Sequence, residues 1–127
     1  MRDPADLGPI GEDLAVDFLR LKGYTILARN YRAGRREIDV VASTGGTLVF
    51  VEVKSRWGDM YGLPQEAVNE KKQRRITKAA MDYVRKADPP LGQIRFDVIA
   101  VRMGEDGRAL TLEHIPNAFP APRKYLL

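Results

Sequence analysis

Two short apolar runs joined by a glycine pair constrain this chain more than any other feature. The runs are Glu37-Ile38-Asp39-Val40-Val41-Ala42 and Leu48-Val49-Phe50-Val51-Glu52-Val53-Lys54, with Ser43-Thr44-Gly45-Gly46-Thr47 between them. Both are short and rich in β-branched residues, so each reads as a strand. A Gly-Gly pair at that point favours a two-residue hairpin turn. With Gly45 and Gly46 at the turn, opposed residues have numbers that sum to 91. Asp39 then faces Glu52, and Glu37 faces Lys54. Alternation puts Glu52 and Lys54 on the strand face that carries Asp39. Opposed Cβ atoms lie roughly 5 Å apart, so two carboxylates there repel each other. A divalent cation between them reverses the sign of that interaction.

The donors on offer are oxygens. Carboxylate and carbonyl oxygen suit Mg²⁺, Mn²⁺ or Ca²⁺, whereas a zinc site built on soft ligands has little to work with in a chain of no Cys and one His, His114. Such a cation polarises a phosphoryl group and acidifies a bound water. Lys54 would stand beside that water, where an ammonium orients the nucleophile and stabilises developing negative charge. The plainer reading is a surface hairpin with a few ion pairs. Against it, Glu52 interrupts a strand otherwise built of Val49, Phe50, Val51 and Val53. A charge in such a strand needs a partner or a role.

A third acid lies upstream. Residues 8–22 carry a helical pattern, with Asp13, Asp17 and Arg20 on a polar face and Leu14, Ala15, Val16, Phe18 and Leu19 on a broad apolar arc. Glu12 falls inside that arc. As a first-turn acid it is favoured by the helix dipole, which accounts for its presence but not for its facing the packed side.

At 127 residues the chain suffices for one domain, with a core over about residues 8–115 and an extended tail from 116 to 127. No apolar run approaches the roughly 18 residues of a membrane-spanning helix, and the start, Met1-Arg2-Asp3-Pro4, has no apolar signal region. The lack of Cys fits a reducing, cytoplasmic setting. Strands are expected over 25–32, 93–102 and 109–115, and a second helix from about 65 or 69 to 87. The order α-β-β-β-α-β-β is that of an α/β sandwich with a mixed sheet.

Net charge is only +4, but its distribution is uneven. Residues 71–86 hold seven bases against one acid. Lys71, Arg74, Arg75, Lys78, Arg85 and Lys86 share one arc of the second helix, opposite Ile76, Ala80, Tyr83, Val84 and Ala87. Arg35 and Arg36 add a basic loop before the hairpin. Such a footprint is either a solvated face or a phosphate-contacting one that positions DNA without reading its sequence. Trp57 and Tyr61, in the loop after the hairpin, either stack on a base or pack onto the sheet. Asp97, in Phe96-Asp97-Val98-Ile99, is expected to pair with Arg95 or Arg32, and His114 to sit at a strand end.

These residues together resemble a known pattern. An acid on an early helix, then Asp39, then Glu52-x-Lys54 across a hairpin looks like the PD-(D/E)xK nuclease core. More closely, the chain resembles the YraN-like family of uncharacterised bacterial proteins, which are similar to archaeal Holliday-junction resolvases. The resemblance rests on Gly11-Glu12, Gly23-Tyr24, Asn30-Tyr31-Arg32, Glu37-Ile38-Asp39, Val49 through Arg56, Glu66-Ala67-Val68, Lys71 with Arg74-Arg75-Ile76, and Arg95 through Val98. The family usually has Gly directly before its Glu-Ile-Asp; this chain has Arg36 there and its nearest glycine at Gly34. The resemblance implies a restriction-endonuclease-like sandwich, a mixed central β-sheet flanked by helices. It implies a Mg²⁺- or Mn²⁺-dependent endonuclease acting on DNA, with branched DNA as substrate and a homodimer as the assembly. Asp39, Glu52 and the Val53 carbonyl would hold the metal, Glu12 would contribute directly or through water, and Lys54 would act on the attacking water. Arg35, Arg36, Lys71, Arg74, Arg75 and Lys78 would hold nucleic acid. The alternatives are a non-catalytic nucleic-acid-binding module of the same fold and an adaptor whose acids only form ion pairs.

Overall fold

In the computed structural model the described residues are 7–58, 68–87, 92–104, 106 and 108–121. They form α1 (Leu7–Leu21), β1 (Thr25–Ala33), β2 (Arg36–Thr44), β3 (Thr47–Trp57), α2 (Glu70–Ala87), β4 (Gln93–Met103) and β5 (Ala109–Phe119). The strands build one five-stranded sheet in the order β1-β2-β3-β4-β5. β3 and β4 run parallel, and every other neighbouring pair is antiparallel. A parallel pair needs a crossover, which α2 supplies. No helix among the described residues is long and apolar enough to cross a membrane.

The hairpin forms in the expected register, from Thr44↔Thr47 to Val40↔Val51. Gly45 and Gly46 both have positive φ, 52° and 82°, as a two-residue turn matched to strand twist requires. The β1–β2 turn, also of two residues, uses Gly34, at φ 64°, and Arg36 opens β2 opposite Ala33.

Alternation along the strands gives the sheet two apolar faces. Val41, Phe50, Phe96 and Val98 pack with Ile76, Ala79 and Ala80 of α2. Val40, Ala42, Val49, Val51, Ile99 and Val101 pack with Ala15, Val16 and Leu19 of α1. One helix therefore covers each face of a mixed sheet, and the sandwich is restriction-endonuclease-like. α1 lies very close to β3: a Cβ on Gly11 would stand 1.7 Å from Ser55 Oγ, so only glycine fits there.

Two expectations about the C-terminal part change. β5 does not stop near Ile115 but runs through Pro116 to Phe119, and Phe119 is buried, stacked on Phe96 with ring centroids 4.8 Å apart. Pro is tolerated here because β5 is an edge strand. Residues 116–119 thus belong to the sheet, and Phe119 belongs to the core. Trp57 is half-buried against the α1-side core, in line with packing rather than stacking on a base. Tyr61, the Glu66-Ala67 match, the helix stop at 88–90 and the tail beyond residue 121 lie outside the described residues.

Candidate functional site

The site is made by a fork in the sheet. β2 and β3 pair only as far as Val40↔Val51. Beyond that point β2 continues with β1 to Ala33↔Arg36, while β3 continues with β4 to Trp57↔Met103. Where the next ladder bond would form, the side chain of Asp39 replaces backbone: the Val53 N–H donates to Asp39 Oδ2 at 2.8 Å. Alternation slips at the same place, since Ile38 packs on the α2 side and Val40, two residues on, packs on the α1 side. Asp39 and Glu52 are therefore neighbours, as the register predicts, but not as an ordinary opposed pair. Nor does Glu37 face Lys54. Glu37 lies opposite Arg32 and forms a 3.4 Å ion pair with it, and Lys54 lies level with Ala100 of β4.

The electrostatics at the fork are strained. Burial pushes the Asp39 carboxyl up to about 7; the charge of Glu52 and more weakly that of Glu12 push the same way, against the Val53 N–H and Lys72. Glu52 is buried, and its Oε1 accepts from Lys72 Nζ at 2.6 Å. Glu12 reaches the fork from α1. Its carboxyl is raised chiefly by burial, opposed by Arg29 and a hydrogen bond from Asn30, and its Oε1 is buried without a hydrogen-bond partner. Asn30 holds a positive φ of 52° inside β1, at the position that the register sets against Asp39. Left-handed backbone in a strand costs energy, and here it accompanies the contact to Glu12.

Glu52 and Asp39 open into a cleft of about 500 Å³ whose other walls include Arg35, Arg36, Asn69, Lys71, Lys72 and Arg75. An adjoining cleft of about 680 Å³ is lined by Arg35, Arg36, Lys71, Arg74, Arg75 and Lys78. The β1–β2 turn and the basic face of α2 thus meet around one space, although Glu70 comes 34 positions after Arg36. Lys54 is half-buried on β3, and neither it nor Glu12 is among the described residues lining these clefts.

Asp39 and Glu52 could hold a hard divalent ion together, while the charge of Glu12 acts on Asp39. Among the described residues no three His, Cys, Asp or Glu side chains are gathered closely enough to form a ready-made cage. Mg²⁺ does not require one, since it is commonly held by one or two carboxylates and keeps several waters.

Sequence reasoning missed Lys72. The signal was a lysine in the first turn of a helix, where the dipole favours acids. It also misplaced His114, which lies mid-strand opposite Ile99 and binds Asp97 at 2.7 Å. Asp97 is wholly buried and also accepts from Arg95 Nε and Nη2, both at 2.8 Å, and from the Asn117 N–H at 2.9 Å. Arg95 donates in turn to the Tyr24 hydroxyl at 2.7 Å. Burial raises the Asp97 carboxyl, but its hydrogen bonds from His114, Arg95 and Asn117 outweigh that and hold it below the usual range. This cluster ties β4, β5 and the entry to β1 together and takes no part in the fork.

The segment from the Gly11 contact through most of β4 is also what the chain shares with known proteins. The profile of the Uncharacterised protein family UPF0102 matches residues 11–101. A UPF0102 protein of Symbiobacterium thermophilum is 49% identical over 117 residues, covering 91% of this chain and 97% of that protein. One from Porphyromonas gingivalis is 47% identical over 120 residues, 94% of this chain and 88% of its own length. One from Dictyoglomus thermophilum is 40% identical over 114 residues, 90% of this chain and 97% of its own length. With the fork, both helix contacts and most of the basic face inside the matched span, the chain belongs to the UPF0102 family.

Proposed function

We propose that this protein is a Mg²⁺- or Mn²⁺-dependent nuclease that hydrolyses DNA phosphodiester bonds at the β2–β3 fork. The observation that carries the reading is that Asp39 and Glu52 line one cleft together with the bases Arg35, Arg36, Lys71, Lys72 and Arg75, beside Glu37. Acids buried beside bases suit a phosphodiester, whose phosphate seeks the bases while its reacting centre needs a hard cation held by acids. The raised Asp39 carboxyl and the orphaned Glu12 oxygen are both signs of a carboxylate set short of countercharge. Asp39 and Glu52 would hold the ion, with the Val53 carbonyl beside them and Glu12 acting through water. The ion, when bound, supplies a polarised phosphoryl oxygen and a more acidic water. Lys54 follows Glu52 by two residues on β3, where its ammonium would orient that water and stabilise charge on the phosphorane-like transition state. The basic clefts would grip the flanking backbone without reading bases.

A cleavage panel of single-stranded, duplex, flap and four-way-junction DNA, each with Mg²⁺, Mn²⁺ or EDTA, tests this. Metal-dependent cleavage lost in Lys54→Ala is the expected result. The observation favouring a non-catalytic DNA-binding module is the lack of a three-carboxylate cage among the described residues. Salt-sensitive DNA binding with no turnover under any metal would select that reading.

A further inference from the structure

We propose, resting on that reading of the fork, that Lys72 is the site's resident counter-ion: its ammonium occupies Glu52 in the metal-free protein and must leave for a divalent ion to bind. The geometry is direct, since Lys72 Nζ stands 2.6 Å from Glu52 Oε1 and its charge also acts on Asp39. The pair is asymmetric in exposure. The Glu52 side chain is 8% exposed and fixed in β3, while the Lys72 side chain is 39% exposed. The lysine is the partner that can swing into the cleft.

Its main chain stays in place as it does so. The Lys72 N–H donates to Asn69 Oδ1 at 2.9 Å, the cap that starts α2, so the ammonium moves on a fixed pivot. The location is costly for the helix. A lysine in the first turn opposes the dipole, and Lys71 beside it adds a second like charge that Glu70 only partly offsets. Local preference is broken where function has a use for it. A divalent ion brings more charge to Asp39 and Glu52 than one ammonium, but it has to displace a short, partly desolvated charged hydrogen bond to reach Glu52. Lys72 therefore weakens metal binding to the free protein.

Mn²⁺ alone is the probe, with free ion read by electron paramagnetic resonance on the full chain at pH 8. Lys72→Met removes the competitor and is expected to bind Mn²⁺ roughly ten- to a hundred-fold more tightly than wild type, the span over which a charged hydrogen bond competes. Lys72→Arg keeps the charge and is expected to bind no more tightly than wild type. Lys72→Gln reads the same competition should the Met variant fail to fold. Thermal melts at fixed Mn²⁺ should show the larger metal-induced rise for the uncharged variants. Equal or weaker binding in the Met and Gln variants, with wild type still binding, overturns the role of Lys72 and leaves the nuclease reading standing. No Mn²⁺ binding by any folded variant overturns the metal reading itself, and this proposal with it.

Discussion

Asp39→Asn isolates the electrostatic strain at the fork. The Asp39 carboxyl is raised from 3.8 to about 7, first by burial and then by the charge of Glu52. The native state therefore holds this proton more tightly than the unfolded chain. Stability tied to protonated Asp39 is fully present below about pH 4 and is lost as pH rises through 7. A gap of about 3 units corresponds to about 4 kcal/mol, at about 1.4 kcal/mol per unit, as a ceiling. Water at the cleft mouth lowers the realised figure to roughly 2–4 kcal/mol. Asn is neutral at every pH and its Oδ1 can still accept the Val53 N–H that Asp39 now holds. In EDTA at pH 8 the variant should thus be more stable than wild type by roughly 2–4 kcal/mol, or about 10 °C in Tm for a domain of this size. At pH 4.5, still above the unfolded carboxyl's 3.8, the difference should shrink to about 1 kcal/mol. Melts of both proteins in EDTA from pH 4.5 to 8.5 measure the difference, with the other titrating groups common to both. Adding Mn²⁺ should raise the wild-type Tm and leave the variant unmoved. A loss of stability in Asp39→Asn at pH 8, or a difference independent of pH, would refute the reasoning and make Asp39 a structural ion-pair partner.

Further predictions concern separate parts of the molecule. Lys54→Ala should lower the rate of metal-dependent cleavage by at least about a hundred-fold while duplex affinity changes little, as single-turnover assays and binding isotherms would show. Replacing Lys71, Arg75 and Lys78 together by Ala should weaken binding to every duplex sequence alike and flatten the slope of log K against log salt by roughly 0.9 per lost phosphate contact; an unchanged slope returns this face of α2 to plain solvation. Asp97→Asn should cost roughly 3–5 kcal/mol in denaturant melts, because it leaves Arg95 and His114 without their shared anion. The Asp97 carboxyl is held below its ordinary value, so wild-type stability from this cluster is present above about pH 4 and lost on acidification, a dependence that the variant should lack. Gly11→Ala should cost roughly 1–3 kcal/mol, since the new methyl meets Ser55 Oγ and Cβ, and Ser55→Gly in the same chain should recover part of the loss.

The sequence alone determined the parts of this protein that depend on neighbours in the chain. Gly45-Gly46 between two β-branched runs set the hairpin, and the turn fixed the register of every observed pair from Thr44↔Thr47 to Val40↔Val51. Helical spacing separated the basic arc of α2 from Ile76 and Ala80, both buried, though it did not single out the equally buried Ala79. It also singled out Glu12 as an acid on a packed arc, and the structure buries one of its oxygens. The six bases named for nucleic acid were legible as charge on two segments, but that they line one cleft is a property of how α2 crosses the sheet.

Tertiary structure decided the rest. Pattern predicts that a strand continues with its alternation, so it extended the β2–β3 ladder past Val40. The ladder ends there because β2 stays with β1 and β3 with β4, and a side-chain carboxylate takes over the next N–H. Lys72 was hidden for the same reason: Glu52 lies 20 residues away in sequence, and the crossover alone brings the ammonium to it. Residues 116–119 read as tail because Pro116 speaks against a strand, but the ring of Phe96 gives Phe119 an apolar partner and an edge position spares the missing N–H. Local sequence sets turns, faces and periods through short-range sterics and the burial of one side of each element. Where a ladder ends, and which distant charge meets a buried acid, depends on packing between elements that the chain order does not specify.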